Sequence, residues 1–319
     1  MTTRRGLLVG IATVLAAPRT VGGQERPRTY RIGVLSPTQR DASVLNGFFD
    51  ELRQAGLTIE IDPRGWGGRA DQYPAAARGF ADAKVDLVLC GGDAAIRAAQ
   101  AATTSIPILA LTDDILGSGL VRSLANPGGN TTGVSILAAQ LDGKRQDLLI
   151  EMLPGLRRMA ALVDTGTTAL RQLQALQETA RARGVELSLH RVTKPEEIGP
   201  AIDSAKQAGA AALNVLASPL FFAQTRAIMA RVAALRIPTM YQWPESAEEG
   251  GLVGYGPSIV RIFRELVARQ AVKLLRGVKP ADIPIEQPTQ FELVVNLRTG
   301  RALGLTLPSS FLARADKVI

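Results

Sequence analysis

The side chains with chemical potential in this sequence sit where short apolar runs stop. Arg31-Ile-Gly-Val-Leu35 ends in Ser36, Val85-Asp-Leu-Val-Leu-Cys90 in Gly91-Gly92-Asp93, and Pro107-Ile-Leu-Ala-Leu-Thr112 in Asp113. In the second half, Arg158-Met-Ala-Ala-Leu-Val163 ends in Asp164-Thr165, Ala210 to Ala217 in Ser218-Pro219, and Pro238 to Tyr241 in the tyrosine itself. These are hydroxyls, carboxylates and one aromatic ring, with no Lys and no His among them. Such a set suits a small polar or zwitterionic ligand. N–H groups at a helix start and nearby hydroxyls can hold a carboxylate, while Asp93 or Asp113 can pair with an amine. Asp and Ser at helix starts serve equally well as N-caps, so the case rests on convergence rather than on any one residue.

Catalytic readings find less support. Gly91-Gly92-Asp93 lacks the G-x-G-x-x-G spacing of a dinucleotide fingerprint, and no P-loop occurs. Gly117-Ser-Gly119 is only an echo of a nucleophile elbow. Asp113 and Asp114 are adjacent, and neighbours on an extended strand point to opposite sides. The single cysteine, Cys90, can form neither an intramolecular disulfide nor a metal knuckle, and it reads as a buried strand residue. His190 is the only histidine, which excludes a histidine-based metal cluster. The expectation is a binder with no cofactor and no catalytic residue.

The elements that must position these groups alternate. Residues 31–35, 57–61, 85–90 and 107–112 read as strands, with helices through Val44 to Leu52, from about Ala70 to Lys84, and from Asp93 to Ala102. Gly56 stops the first helix. The second half repeats the rhythm with strands at 158–163, 185–190, 210–217 and 238–241. Its helices run from Thr168 to Arg183 and start again near Glu196 and Phe221. Near-continuous apolar strands alternating with helices mean parallel sheets covered on both faces. Ligands of such sheets bind outside the carboxyl ends of the strands.

The expected fold class is therefore α/β, with two doubly wound, Rossmann-like lobes joined by a hinge. The turn cluster Asn126-Pro-Gly-Gly-Asn130 precedes the first crossing, and Glu248-Glu-Gly-Gly251 marks a second. A helix from Ser258 to Arg276 carries one apolar stripe. A proline-rich extended stretch over 278–289 and a last strand at 291–296 follow it.

Residues 1–24 read as an export signal: Arg4-Arg5, then the twelve uncharged residues Gly6 to Ala17, then small residues and Pro18. The run is too short to span a membrane, and Thr-Arg-Arg-Gly-Leu-Leu resembles a twin-arginine signal. No Cys lies near the cleavage zone to carry a lipid. The net charge of +8 comes from 30 Arg and 7 Lys dispersed along the chain. A phosphate-tracking surface concentrates its cations instead, so nucleic acid is not an expected partner.

Four segments resemble the ABC transporter substrate-binding family that includes tryptophan/tyrosine-type binding proteins. They are Gly119 to Gly133, Gly250-Gly-Leu-Val-Gly-Tyr-Gly256, Lys279 to Leu297 and Ala302 to Asp316. The resemblance covers roughly Tyr30 to Ile319. It implies a type I periplasmic-binding-protein fold with three crossing segments and the ligand in the cleft, and it implies an ABC permease and ATPase in the inner membrane as partners. Carried over, the family's cleft positions fall near Ser36, Asp93, Thr112, Asp113, Ser135 and Tyr241. With Thr165 and Ser218 from the strand-end argument, these make the candidate site.

The loop Arg64-Gly-Trp-Gly-Gly68 and the stretch Asp114-Ile-Leu depart from the family pattern. The first departure makes Trp66 a candidate cleft residue. The expected layout is a first lobe over 29–133 plus about 252–319, the C-terminal part partly shared, and a second lobe over 134–251. The expected protein is a periplasmic, monomeric carrier of a small polar molecule such as an amino acid. The alternative use of the same scaffold is a periplasmic sensor feeding a membrane receptor or kinase.

Overall fold

The computed structural model of the chain describes residues 28–37 and 44–319. The expected export signal lies outside the described residues. Two sheets organise the rest. The first has five strands in the order β2-β1-β3-β4-β5: β1 (Thr29–Leu35), β2 (Thr58–Asp62), β3 (Leu87–Gly91), β4 (Ile108–Thr112) and β5 (Thr131–Ser135). Every pairing in it is parallel.

The second sheet has seven strands in the order β12-β11-β10-β9-β8-β6-β7. They are β6 (Arg158–Asp164), β7 (Glu186–Val192), β8 (Leu213–Val215), β9 (Thr239–Tyr241), β10 (Val253–Gly256), β11 (Glu292–Val295) and β12 (Lys317–Val318). Only β10 and β11 pair antiparallel.

Side-chain alternation splits each strand between two cores. In β3, Leu87 and Leu89 face a core shared with α1 (Val44–Gln54) and with the long helical run after Ser258. Val88 and Cys90 face the opposite core, built by α2 (Tyr73–Asp82) and α3 (Asp93–Ala102). The second sheet is sandwiched in the same way. On one face lie α4 (Asp142–Met152) and α5 (Leu170–Ala182). On the other lie α6 (Ile198–Gln207), α7 (Pro219–Ala223) and α8 (Thr225–Ala234).

The C-terminal third, expected with the first lobe over about 252–319 and partly shared with the second, contributes to both. After α9 (Pro244–Glu248), β10 extends the second sheet. The chain then crosses to the first lobe as α10 (Ile259–Arg261), a π-helical stretch over Ile262–Val267, and α11 (Ala268–Leu275), which pack on α1. The single helix read from the sequence is thus continuous but carries a π turn, a device found often near functional sites. The chain returns with β11, α12 (Leu297–Ala302), α13 (Ser309–Leu312) and β12. Leu293, Val295, Leu307 and Phe311 return because they complete the core on one face of the second sheet. Near the boundary expected at 133/134, β5 carries the first sheet through Ser135.

Candidate functional site

Ser36 follows β1 and pairs with Trp66 in a parallel bridge, accepted by Gly65 O at 3.1 Å and donated to by Gly68 N at 3.2 Å. The loop that carries Trp66 is fixed from beneath. Asp62 is buried, accepts from Arg64 N, and pairs with Arg31 at 3.2 Å and Arg64 at 3.0 Å. Gly65 is required there, because a Cβ would come within 2.2 Å of Val34 O. Ser36, Trp66 and Gly91 border a cavity of about 20 Å³ whose other walls include Val34, Leu89, Leu111 and Phe263. That is room for a water-sized body, with walls that are mostly apolar.

Beside the cavity, α3 begins on Gly92, whose φ of 88° is open to glycine without strain. Asp93 occupies the first turn and accepts a hydrogen bond from the buried Thr112 hydroxyl. The position a Cβ of Gly92 would take lies 3.4 Å from Pro219 Cγ at the start of α7, so the lobes meet here. The apolar cluster of the first lobe also runs across to Trp243, Ala217 and Phe222 of the second.

Other candidates serve the backbone. Ser135 is fully buried; its hydroxyl donates to Asp113 O at 3.0 Å and accepts from Ile115 N at 3.3 Å. Asp113 accepts from Ala139 N at 2.8 Å, and its carbonyl accepts from Leu137 N at 2.8 Å. Together they fold the first crossing, where Leu137 adopts a φ of 56°, a strained choice for a branched side chain. Burial pushes the Asp113 carboxyl up, opposed by the Ala139 N–H and by Arg145.

In the second lobe, Ser218 caps α7 and donates to Asp164 at 2.6 Å. Its N–H donates to Gln242 at 3.0 Å. Tyr241 is buried in the core under α6 and α8, which pushes its phenol pKa up. Thr165 is exposed in a separate groove with Arg191, Thr193, Glu196 and Glu197. Ser36 therefore borders the cavity, Thr112 follows the cavity residue Leu111 and is bonded to Asp93, and Thr165 and Tyr241 stand apart from it.

The most heavily bonded polar group near the crossings was not a sequence candidate. Arg145 on α4 is 0% exposed. It donates to Ala138 O at 2.7 Å, Tyr255 O at 2.7 Å, Gln242 O at 3.0 Å and Asp142 at 2.8 Å. One guanidinium thus ties the first crossing, the end of β9 and the end of β10 together. Asp142 also accepts from Gln172 at 2.9 Å and from Ala217 N at 3.2 Å. Burial pushes its carboxyl up to about 6, with Arg145 and the Ala217 N–H pulling the other way. The i,i+3 spacing of Asp142 and Arg145 was the available signal. His190, half-buried beside the Ser188 hydroxyl at 3.0 Å, is held down by burial.

Two largely parallel sheets, three crossings between them and a small cavity at the strand ends define the class of two-lobed binding proteins. The chain belongs to the ABC transporter substrate binding protein family, whose model matches residues 31–319. It is 26% identical over 269 residues to the Tyrosine-binding protein of Clostridioides difficile, covering 81% of this chain and 76% of that one. A Streptococcus pneumoniae ABC domain solved in complex with L-Trp superposes with a TM-score of 0.77 at 23% identity, covering 90% of this chain and 100% of that chain. A conserved domain protein from Vibrio cholerae reaches a TM-score of 0.80 at 21% identity, covering 92% and 100% respectively. These two structures establish the fold.

Proposed function

We propose that this chain is an extracytoplasmic solute-binding protein that captures an aromatic amino acid between its lobes and delivers it to an ABC permease and its ATPase. The observation that carries this reading is the pairing of an apolar cavity with a polar corner. Ser36, Trp66, Gly91 and Phe263 line the cavity, and Asp93 with Thr112 stands beside it at the start of α3. An aromatic side chain fits apolar walls, the α3 N-terminus attracts a carboxylate, and Asp93 offers an amine a partner. The binding of tyrosine and tryptophan by the two relatives named for those ligands supports the same class. The leader-like N-terminus read in the sequence supports export of the chain to the periplasm.

Lobe closure supplies affinity, because contacts from both lobes form only when the lobes meet. The cavity is small as the lobes stand, so entry of an amino acid requires them to part and close again around it. The test is a thermal-shift and denaturant series of the chain with and without aromatic amino acids. Ligand at about 100 times Kd adds roughly 2.7 kcal/mol of stability. No shift with L-tyrosine, L-tryptophan or L-phenylalanine at millimolar concentration sinks the reading.

A further inference from the structure

The first two crossings between the lobes are built alike, with the roles of the lobes exchanged. At the first, Asp113 belongs to the first lobe, directly after β4, and its carboxylate accepts from Ala139 N at 2.8 Å. Ala139 opens the helical turn that runs into α4 of the second lobe. At the second, Glu245 belongs to the second lobe, in the first turn of α9. Its carboxylate accepts from the Ser258 hydroxyl and from Val260 N at 3.3 Å, where the helical run that packs on α1 of the first lobe begins. Each carboxylate is thus fixed in one lobe and bonded to the start of a helix in the other.

A carboxylate at a helix start is favoured twice, by a charge-assisted hydrogen bond and by the positive end of the peptide dipoles. Burial pushes both carboxyls above the ordinary range, so holding them there costs free energy that these bonds offset. One Glu245 oxygen takes both cross-lobe bonds, while the other is buried without a partner among the described residues. The two crossings are neighbours, since Arg145 donates to Ala138 O in one and to Tyr255 O beside the other. The third crossing is held differently, through backbone bonds between Glu286 and the end of β5.

Two bodies pinned at two points keep one easy motion, rotation about the line that joins the points. With one pin removed they can also twist. We propose that Asp113 and Glu245 are the positioning residues of the hinge, a reciprocal pair of helix caps that confines the lobes to a single opening motion. This role rests on the fold and not on the identity of the ligand. Leu137, at a φ of 56°, lies between β5 and Ala139 and absorbs the rotation at the first crossing.

The test uses the full chain without added ligand and reads the distance between two spin labels. They are carried by Ala70→Cys, past the end of β2 in the first lobe, and Lys194→Cys, past the end of β7 in the second. Both positions are exposed, and the native Cys90 is fully buried. Asp113→Ala and Glu245→Ala should each widen the distance distribution roughly twofold. Asp113→Asn and Glu245→Gln, which keep an acceptor oxygen, should restore the parent width. Ile202→Ala, in the core under α6, lowers stability away from both crossings and should leave the width as it was.

Unchanged distributions in both alanine variants overturn the proposal. So do amide variants as wide as the alanine ones, or equal widening in Ile202→Ala. Should Asp113→Ala fail to fold by circular dichroism, the Glu245 variants decide by the same criteria. Failure of aromatic amino acids to bind would count against the proposed function alone, because the distances are read without ligand.

Discussion

At the carboxyl ends of the first sheet, Ser36, Trp66 and Gly91 border a cavity. At the carboxyl ends of the second, Ser218 is bonded to both Asp164 and Gln242, and Arg145 is bonded to four oxygens. The residue types are alike; the first set borders an opening, and the second is built into the frame. A hydroxyl or carboxylate whose valences are spent on a cap or a turn is scaffold. One that faces a cavity beside a helix N-terminus can serve a ligand. In the proposed reading the first lobe holds the polar corner, and the second contributes a hydrogen-bonded frame and the apolar side chains of Phe222 and Trp243.

The comparison is broken most severely at Arg145. Arg145→Ala leaves Asp142 buried without its cation and three carbonyls without a donor, which should cost about 3–5 kcal/mol in urea unfolding. An apolar pair such as Asp142→Leu with Arg145→Met should cost much less than the single change, because it also removes the orphaned charge. A single variant as stable as wild type would show that the hub holds nothing together.

A matched pair of milder substitutions sharpens the contrast between the lobes. Ser218→Ala removes a helix cap and the partner of Asp164, and should cost about 1–3 kcal/mol of stability. Asp93→Asn keeps an acceptor for Thr112 and should cost less than about 1 kcal/mol, yet it removes the charge proposed to meet the ligand amine. Thermal-shift titration of both variants separates the effects: affinity should fall in Asp93→Asn, and the unliganded melt should fall in Ser218→Ala. The reverse pattern would exchange the roles assigned to the two strand ends.

The smallest effect concerns the second crossing. Glu245 accepts from the Ser258 hydroxyl and from Val260 N, so a carboxylate of the second lobe caps the helix that returns to the first. Burial pushes the Glu245 carboxyl above the ordinary range, opposed by the Ser258 bond. Between the ordinary value and the raised one, the folded chain holds a proton that the unfolded chain has released. The contribution of this group to stability therefore falls as pH rises through that interval and is level above it. Glu245→Gln should flatten this slope in urea midpoints measured from mildly acidic to neutral pH; an unchanged slope would assign it to other carboxylates, such as Asp142.

Much of this was legible from local pattern. Alternating apolar runs and helices gave two parallel sheets, and Asp93 stood at the start of α3 as its position after Gly92 suggested. Trp66 stood out as an aromatic in a glycine-rich loop and does reach the cavity. Tyr241 shows the limit. In β9, Met240 faces one core and Tyr241 the other, and that parity sends the ring under α6 and α8. Arg145 was passed over because an i,i+3 Asp–Arg pair on a helix reads as solvent-facing until its burial is seen.

The sequence by itself determined the strands, the helices that cover them and the family, since these depend on residue order and near-neighbour spacing. Tertiary structure alone decided that β10, β11 and β12 complete the second sheet. It also decided which strand-end groups are already bonded and what they are bonded to. Those outcomes depend on partners far away in the chain, such as Tyr255 and Gln242 for Arg145, and a buried polar group's role is set by the atoms that surround it.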